Sequence, residues 1–275
     1  ELPAGVTLTD MVIEALRPAD PMVSYSSVNI DIHASAVNPH DGRLYILLDD
    51  DLLHLDARSQ KPIVDIETGI MGRSLAIDSD AGTLLIGTEE GAVLSRSLYD
   101  SSTMPNQKGP SGTQNAGIYA LAVDDYGTIW AAGNCTIHFK PVGEVVWNEY
   151  DYCPTQNIEI PSDIMIIADS VYLATTNSGV HILNYITSSS SGSVSVSIDS
   201  QTDWSTQNFL SSDQITDLEV VGNHLLIATS DSGINRRDLT AQSWIATWST
   251  NNWLASNQIH GLSLTPGWLL SLIHI

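Results

Sequence analysis

Residues 204–215 read WSTQNFLSSDQI, and residues 248–259 read WSTNNWLASNQI. The second stretch follows the first at an interval of 44 positions. The two differ only by Gln207/Asn251, Phe209/Trp253, Ser211/Ala255 and Asp213/Asn257. Those exchanges are conservative, so the stretches are copies of one unit. Self-similarity at a fixed period marks a repeat architecture.

Each copy runs into a second pattern: a short apolar segment, a tight turn, another apolar segment ending in a small residue and Thr, then an acidic or amide turn with Gly. Clear instances run from Leu75 to Val93, Leu121 to Ile137, Ile164 to Val180 and Leu218 to Ile234. The stretch from Ser35 to Leu53 is looser, and Leu262 begins another. Central turns near residues 41, 81, 126, 169, 222 and 266 give a spacing of about 40 to 53. The apolar segments are rich in Val, Ile, Leu, Tyr and Trp, too short for helices, and punctuated by Gly, Asp and Asn. Asp80-Ala81-Gly82 and Gly222-Asn223 are hairpin turns, because such residues accept positive φ.

In the fifth copy the pattern predicts strands over Ile215–Val221, His224–Ser230, Ile234–Leu239 and Ser243–Ser249. A four-stranded unit cannot cover both its faces alone. Units stacked around an axis bury one another. The expected fold is all-β: a β-propeller of four-stranded antiparallel blades, about five complete and a sixth partial, from a ring of roughly six or seven. First strands would line the channel, where small Ala36, Ala76, Ala122 and Ser263 fit. Solenoid coils of roughly 20 to 29 residues match the segment lengths less well.

The chain reads as one propeller domain, with residues 1–27 irregular or ring-closing and blades over 28–269. Asp100 to Ala116 and Thr187 to Ser193 read as mobile polar surface loops. The register places Leu269 and Leu270 on Leu225 and Leu226, then fails, because Leu272 and Ile273 stand where a small residue and Thr belong. Leu270–Ile275 resembles the translated end of a transposase-type sequencing adaptor. It is expected to be an assembly scar, with the chain a fragment of a larger protein.

Acids outnumber bases 32 to 10, a net charge of −22. That balance argues against nucleic acid and against an anionic membrane face. It suits saline surroundings, cationic partners or metal ions. No apolar run reaches the roughly 18 residues of a membrane span. Cys135 and Cys153 leave open both a disulfide and two separate buried thiols.

In a propeller, second-to-third turns and fourth-to-first connections share one face, where ligands gather. The second-to-third turns carry Asp49, Asp50 and Asp51, then Glu89 and Glu90, Asn134, Asn177 and Asp231. These are the candidate ligand- or ion-binding residues, with the Asp49–Asp51 run foremost. Calcium is the cofactor that such oxygen ligands suit. Turn conformation alone also favours these residue types. Asp78 and Glu89 have calcium-loop spacing, but residues 83–88 read as a strand and the Asp78 turn as a hairpin. His138 and His181 hold equivalent third-strand places, aligned with Asn235, and are expected to be strand residues rather than ligands of one metal. Trp147, Trp204, Trp248 and Trp253 fall at or just past fourth strands and are expected to pack between blades. Nucleophile-elbow, P-loop, dinucleotide and HExxH motifs are absent from the sequence.

Leu254-Ala255-Ser256-Asn257-Gln258-Ile259, the run from Asp78 to Thr88, and Asp125-Tyr126-Gly127-Thr128-Ile129-Trp130 resemble the two-component regulator propeller repeats, within the wider YVTN/WD40-like propellers. The resemblance covers roughly residues 35 to 270. It departs from the family pattern at Ala255, which replaces Pro, and at Ala132, Ala174 and Ala228, which replace Gly. The family's repeat residues are structural, so the resemblance implies no catalytic residue. It implies a non-enzymatic, extracytoplasmic propeller that senses or binds a small molecule, glycan or protein. Its expected location is extracellular, periplasmic or at the cell surface. Two other readings stay open: a calcium-assisted hydrolase, lactonase or carbohydrate-active enzyme, and an adhesive module of a surface protein.

Overall fold

The computed structural model describes residues 32–48, 51–55, 62–67, 71–99, 106–107, 110, 117–153, 158–190, 193–252, 254–265 and 268–273. Among these, the chain forms five four-stranded antiparallel sheets and one two-stranded sheet, with no helix. Blade one holds β1 (Ala34–Val37), β2 (Leu44–Leu47), β3 (Asp51–Leu55) and β4 (Pro62–Glu67). Blade two holds β5 (Gly72–Asp78), β6 (Thr83–Thr88), β7 (Val93–Ser97) and β8 (Asn106–Gln107). Blade three holds β9 (Ala120–Val123), β10 (Ile129–Ala132), β11 (Thr136–Lys140) and β12 (Asn148–Asp151). Blade four holds β13 (Pro161–Ile167), β14 (Ser170–Thr175), β15 (Val180–Ser190) and β16 (Ser193–Trp204). Blade five holds β17 (Ile215–Val221), β18 (His224–Thr229), β19 (Ile234–Asp238) and β20 (Ser243–Trp248). The last pair is β21 (Ile259–Thr265) with β22 (Trp268–Ile273).

Strands follow chain order within each blade. First strands are neighbours in succession, from β1 through β5, β9, β13 and β17 to β21. That arrangement is the expected propeller, and the predicted strands of the fifth copy agree to within a residue at each end. Ala36, Ala76 and Ala122 lie on first strands, as expected of small residues beside the channel.

Burial explains why these segments are strands. In β18, Leu225, Leu226, Ile227, Ala228 and Thr229 are all buried, because a second strand has a neighbouring blade on each face. The outer strand β20 has no fully buried residue. Core clusters therefore lie between blades. Trp130 and Phe139 of blade three meet Leu173, Leu183 and Tyr185 of blade four. Ile182 and Trp204 of blade four meet Leu218, Leu225 and Ile227 of blade five. Trp204 also touches Trp244 edge-on at 5.0 Å and is covered by the Arg237 guanidinium at 4.7 Å. It packs between blades, as expected.

Several expectations need correction. Thr187 to Ser193 is not a loop throughout: β15 continues to Ser190 and β16 resumes at Ser193. Cross-strand pairing persists to Ser190↔Ser193, and Ser188 and Ser195 hydroxyls hydrogen-bond at 2.8 Å. Asn106–Gln107, inside the presumed insertion, pairs with Leu94 and Ser95 as the fourth strand of blade two. Trp147 stands immediately before β12, and it packs against the cluster shared by blades two and three, as expected. The Asp78 carboxylate accepts from Ala81 N at 2.9 Å and caps a hairpin turn, while residues 83–88 form β6, as expected. Cys135 and Cys153 form a disulfide, which resolves the two options. Residues 1–27, Trp253, most of the 100–116 stretch and residues 191–192 lie outside the described residues.

Candidate functional site

The face that carries the second-to-third turns is assembled by repeated polar contacts. In blade four, Thr175 Oγ1 donates to Gly179 O at 3.0 Å and accepts from Ser178 N at 3.0 Å. In blade five, Thr229 Oγ1 donates to Gly233 O at 2.8 Å and accepts from Ser232 N at 2.9 Å. Thr is required because its hydroxyl serves both ends of the turn. Gly179 and Gly233 have φ of 85° and 86°, a region closed to most side chains.

The duplicated WST stretches complete this face. Gly179 N donates to Asp213 O and Gly233 N to Asn257 O, each at 2.9 Å. The Asp213 carboxylate accepts from Thr206 N at 2.6 Å and Thr206 Oγ1 at 2.7 Å. Asn257 Oδ1 accepts from Thr250 N at 2.7 Å. Asn208 and Asn252 each accept from the Ser N–H and donate to a carbonyl at the end of the preceding strand. The repeated polar residues thus hold each fourth-to-first connection against the preceding turn.

The described ones among the sequence-predicted residues are spread over the turns of five blades. Asp49 and Asp50 lie outside the described residues, and Asp51 is half-buried at the start of β3. Glu89 Oε2 accepts from Arg73 Nη2 at 2.9 Å. Glu90 and Asp231 are exposed. Asn177 Nδ2 donates to Ile158 O at 3.3 Å. Asn134 sits beside the disulfide, and its Oδ1 is buried without a partner among the described residues. Among the described residues, no three His, Cys, Asp or Glu side chains converge as metal ligands.

Two other residues do meet. Asp163 and Asp217 lie at equivalent β-bulges of neighbouring first strands. Asp163 Oδ2 accepts from Leu218 N of the next blade at 3.0 Å, and Asp217 Oδ2 accepts from Leu262 N of the following pair. Leu218 N also donates to Asp217 Oδ1 at 2.8 Å, so the two carboxyls meet at one N–H. Burial, then the neighbouring charge, pushes Asp163 well above the usual carboxylate range, and burial raises Asp217 as well. Two carboxyls this close cannot both ionise freely. The same position in blade two is Ser74, whose Oγ donates to Ile118 O at 2.9 Å.

A second polar centre is buried between blades three and four. His181 Nε2 lies 2.6 Å from Glu159 Oε2, and its Nδ1 lies 2.7 Å from Asp203 Oδ1. Both contacts are met when both ring nitrogens carry protons. Tyr152 packs on the imidazole at 5.2 Å, and its hydroxyl donates to Gly133 O at 2.8 Å. Burial raises its phenol further above the ordinary range. The equivalent His138 is buried, and desolvation lowers its pKa against the opposing pull of Glu149 and Asp151. The expectation of a satisfied strand histidine holds for His181. Nearby, Asp124 Oδ2 accepts from Trp130 Nε1 at 3.1 Å and from Tyr185 OH of blade four at 3.2 Å. Asp124, rather than Asp125, is thus the acid that anchors this hairpin.

Sequence reasoning did not single out Asp163, Asp217, Glu159 or Tyr152. Aligning bulge positions would have superposed Asp163-Ile164 on Asp217-Leu218. Glu159 lies outside any strand, and only the fold brings it to His181.

No family model matches the chain, and no curated protein matches it. Solved propeller structures resemble it. The WD40 β-propeller domain of Doa1 aligns with a TM-score of 0.64 at 12% identity, covering 90% of this chain and 76% of that one. The RRP9 WD40 repeats align at 0.60 and 14% identity, covering 89% and 68%. The computationally designed Ika8 protein aligns at 0.57 and 13% identity, covering 87% and 67%. Likeness at this identity establishes the fold, a β-propeller.

Proposed function

We propose that the chain is a non-enzymatic, extracytoplasmic binding or sensing propeller of the two-component regulator type. The observation that carries this reading is the face built by the turns and WST connections. Its repeated Thr, Gly, Asp and Asn residues are engaged in backbone contacts, whereas Glu90, Asp231 and half-exposed Phe209 remain open to a ligand. A rigid frame with free loop-tip side chains is how propellers present binding surfaces. The ligand is a small molecule, glycan or protein segment, and the net charge of −22 favours one with cationic groups. The Cys135–Cys153 disulfide supports an oxidising compartment.

The test is a binding screen over glycans, metabolites and peptides, followed by amide-shift mapping. Shifts gathered at Asp231, Glu90 and Phe209, lost in Asp231→Ala/Phe209→Ala, support the reading. Turnover of a bound substrate overturns the non-enzymatic part. A hydrolytic reading draws on the Asp163–Asp217 pair, whose raised acidity range suits a general acid beside a base. It requires turnover that either Asp→Asn change abolishes.

A further inference from the structure

We propose that Asp163 and Asp217 form a proton-dependent clasp that joins blade four to blade five and blade five to β21, and that loosens when the shared proton is lost. The geometry is directional. Asp163 reaches forward to Leu218 N, and Asp217 reaches forward to Leu262 N. Asp217 Oδ1 also accepts from Leu218 N at 2.8 Å, so that one N–H joins both carboxyls. The two side chains therefore bind three consecutive first strands at their bulges. Where blade two needs such a link, neutral Ser74 provides it without a charge.

Two carboxylates have acceptors only, so carboxyls gathered on the one Leu218 N–H are held together best when one of them carries a proton. Among the described residues, no cation is among the groups that shift the pair. Among the packed elements, β9 has no titratable side chain, β14 has only Tyr172, β18 only His224 and β21 only His260. Glu219, on the same strand as Asp217, adds a further acid. Among the described residues, Asp217 is the one charge that acts on Asp163.

The sign follows from the raised acidity range of Asp163. A carboxyl held above its unfolded value stabilises the fold while protonated, and that contribution disappears as pH rises through the folded value. The clasp is closed in acid and looser in base, the opposite of a salt-bridged carboxylate.

Native-state hydrogen exchange across about pH 5 to 9 tests this, after correction for intrinsic exchange. Leu218 and Leu262 amides should lose protection with rising pH by up to about tenfold per unit, the limit for one released proton. Control amides at Val171 and Leu183 should change less. Asp163→Asn keeps the acceptor for Leu218 N and supplies permanent donors to Asp217, so it should flatten the dependence. A flat profile in the parent protein, or an undiminished slope in Asp163→Asn, overturns the clasp. If the variant fails to fold, carboxyl carbon shifts in the parent protein decide. Asp163 titrating in the ordinary carboxylate range overturns the clasp, and a carboxylic-acid signal persisting above that range supports it.

Discussion

The carbonyl oxygen of Trp248 lies 2.0 Å from where a Cβ on Gly233 would stand, and Trp204 O bears the same relation to Gly179. The glycines and tryptophans of the repeat are thus one device. The turn passes so close to the end of the fourth strand that no side chain fits between them. Gly233→Ala should cost about 2 to 4 kcal/mol through strained backbone and displaced neighbours. Gly222, also at positive φ but with open space around it, should tolerate Ala better. Urea unfolding of the two variants checks the contrast.

The buried His181–Glu159 pair and the more exposed His181–Asp203 pair should differ in worth. Glu159→Leu leaves an imidazole nitrogen buried without its acceptor and should destabilise by about 3 kcal/mol or more. Asp203→Asn, at the solvent-facing end, should cost about 1 kcal/mol or less. Equal losses in equilibrium unfolding would contradict this ordering.

His138 should make the fold acid-sensitive. Burial lowers its folded pKa, so the stability it provides is present above its unfolded value of about 6.5 and is lost as pH falls through the folded value. Blade five has Asn235 at this place, so His138→Asn is sterically reasonable. The melting temperature of that variant should fall less steeply below about pH 6.5 than that of the parent protein.

Reduction of the Cys135–Cys153 disulfide, which closes a sequence separation of 18, should cost about 3 kcal/mol. Thermal melts with and without reductant measure it. The loss should fall on blade three, because Cys135 O accepts from Tyr152 N, and Tyr152 OH accepts from Cys135 N at 3.1 Å.

Blade architecture was legible because it depends on local chemistry. Hairpin turns, Thr-x-x-x-Gly units and the WST copies satisfy their own backbone groups within a few residues. Burial on both faces makes second strands continuous apolar runs such as Leu225 to Ala228. The polar centres were not legible, because they join residues from different blades. Asp163 meets Asp217, and Tyr185 meets Asp124, only after blades stack. In the hairpin from Val180 to Trp204, strand pairing runs on through Thr187–Ser190 and from Ser193, where serine-rich sequence suits a loop, because the alternation with Val194 and Val196 also suits a pleated strand.

The forward-reaching bonds from Gly179 N to Asp213 O and from Gly233 N to Asn257 O have a mechanical meaning. Blades four and five are each fastened by the connection that follows them. The smallest unit that can detach is therefore a blade together with the start of the next. Tension applied to the ends should release the chain in discrete steps, each offset from the blade boundaries by the length of one WST connection. A propeller held this way behaves like overlapping shingles, in which damage to one unit first exposes its predecessor.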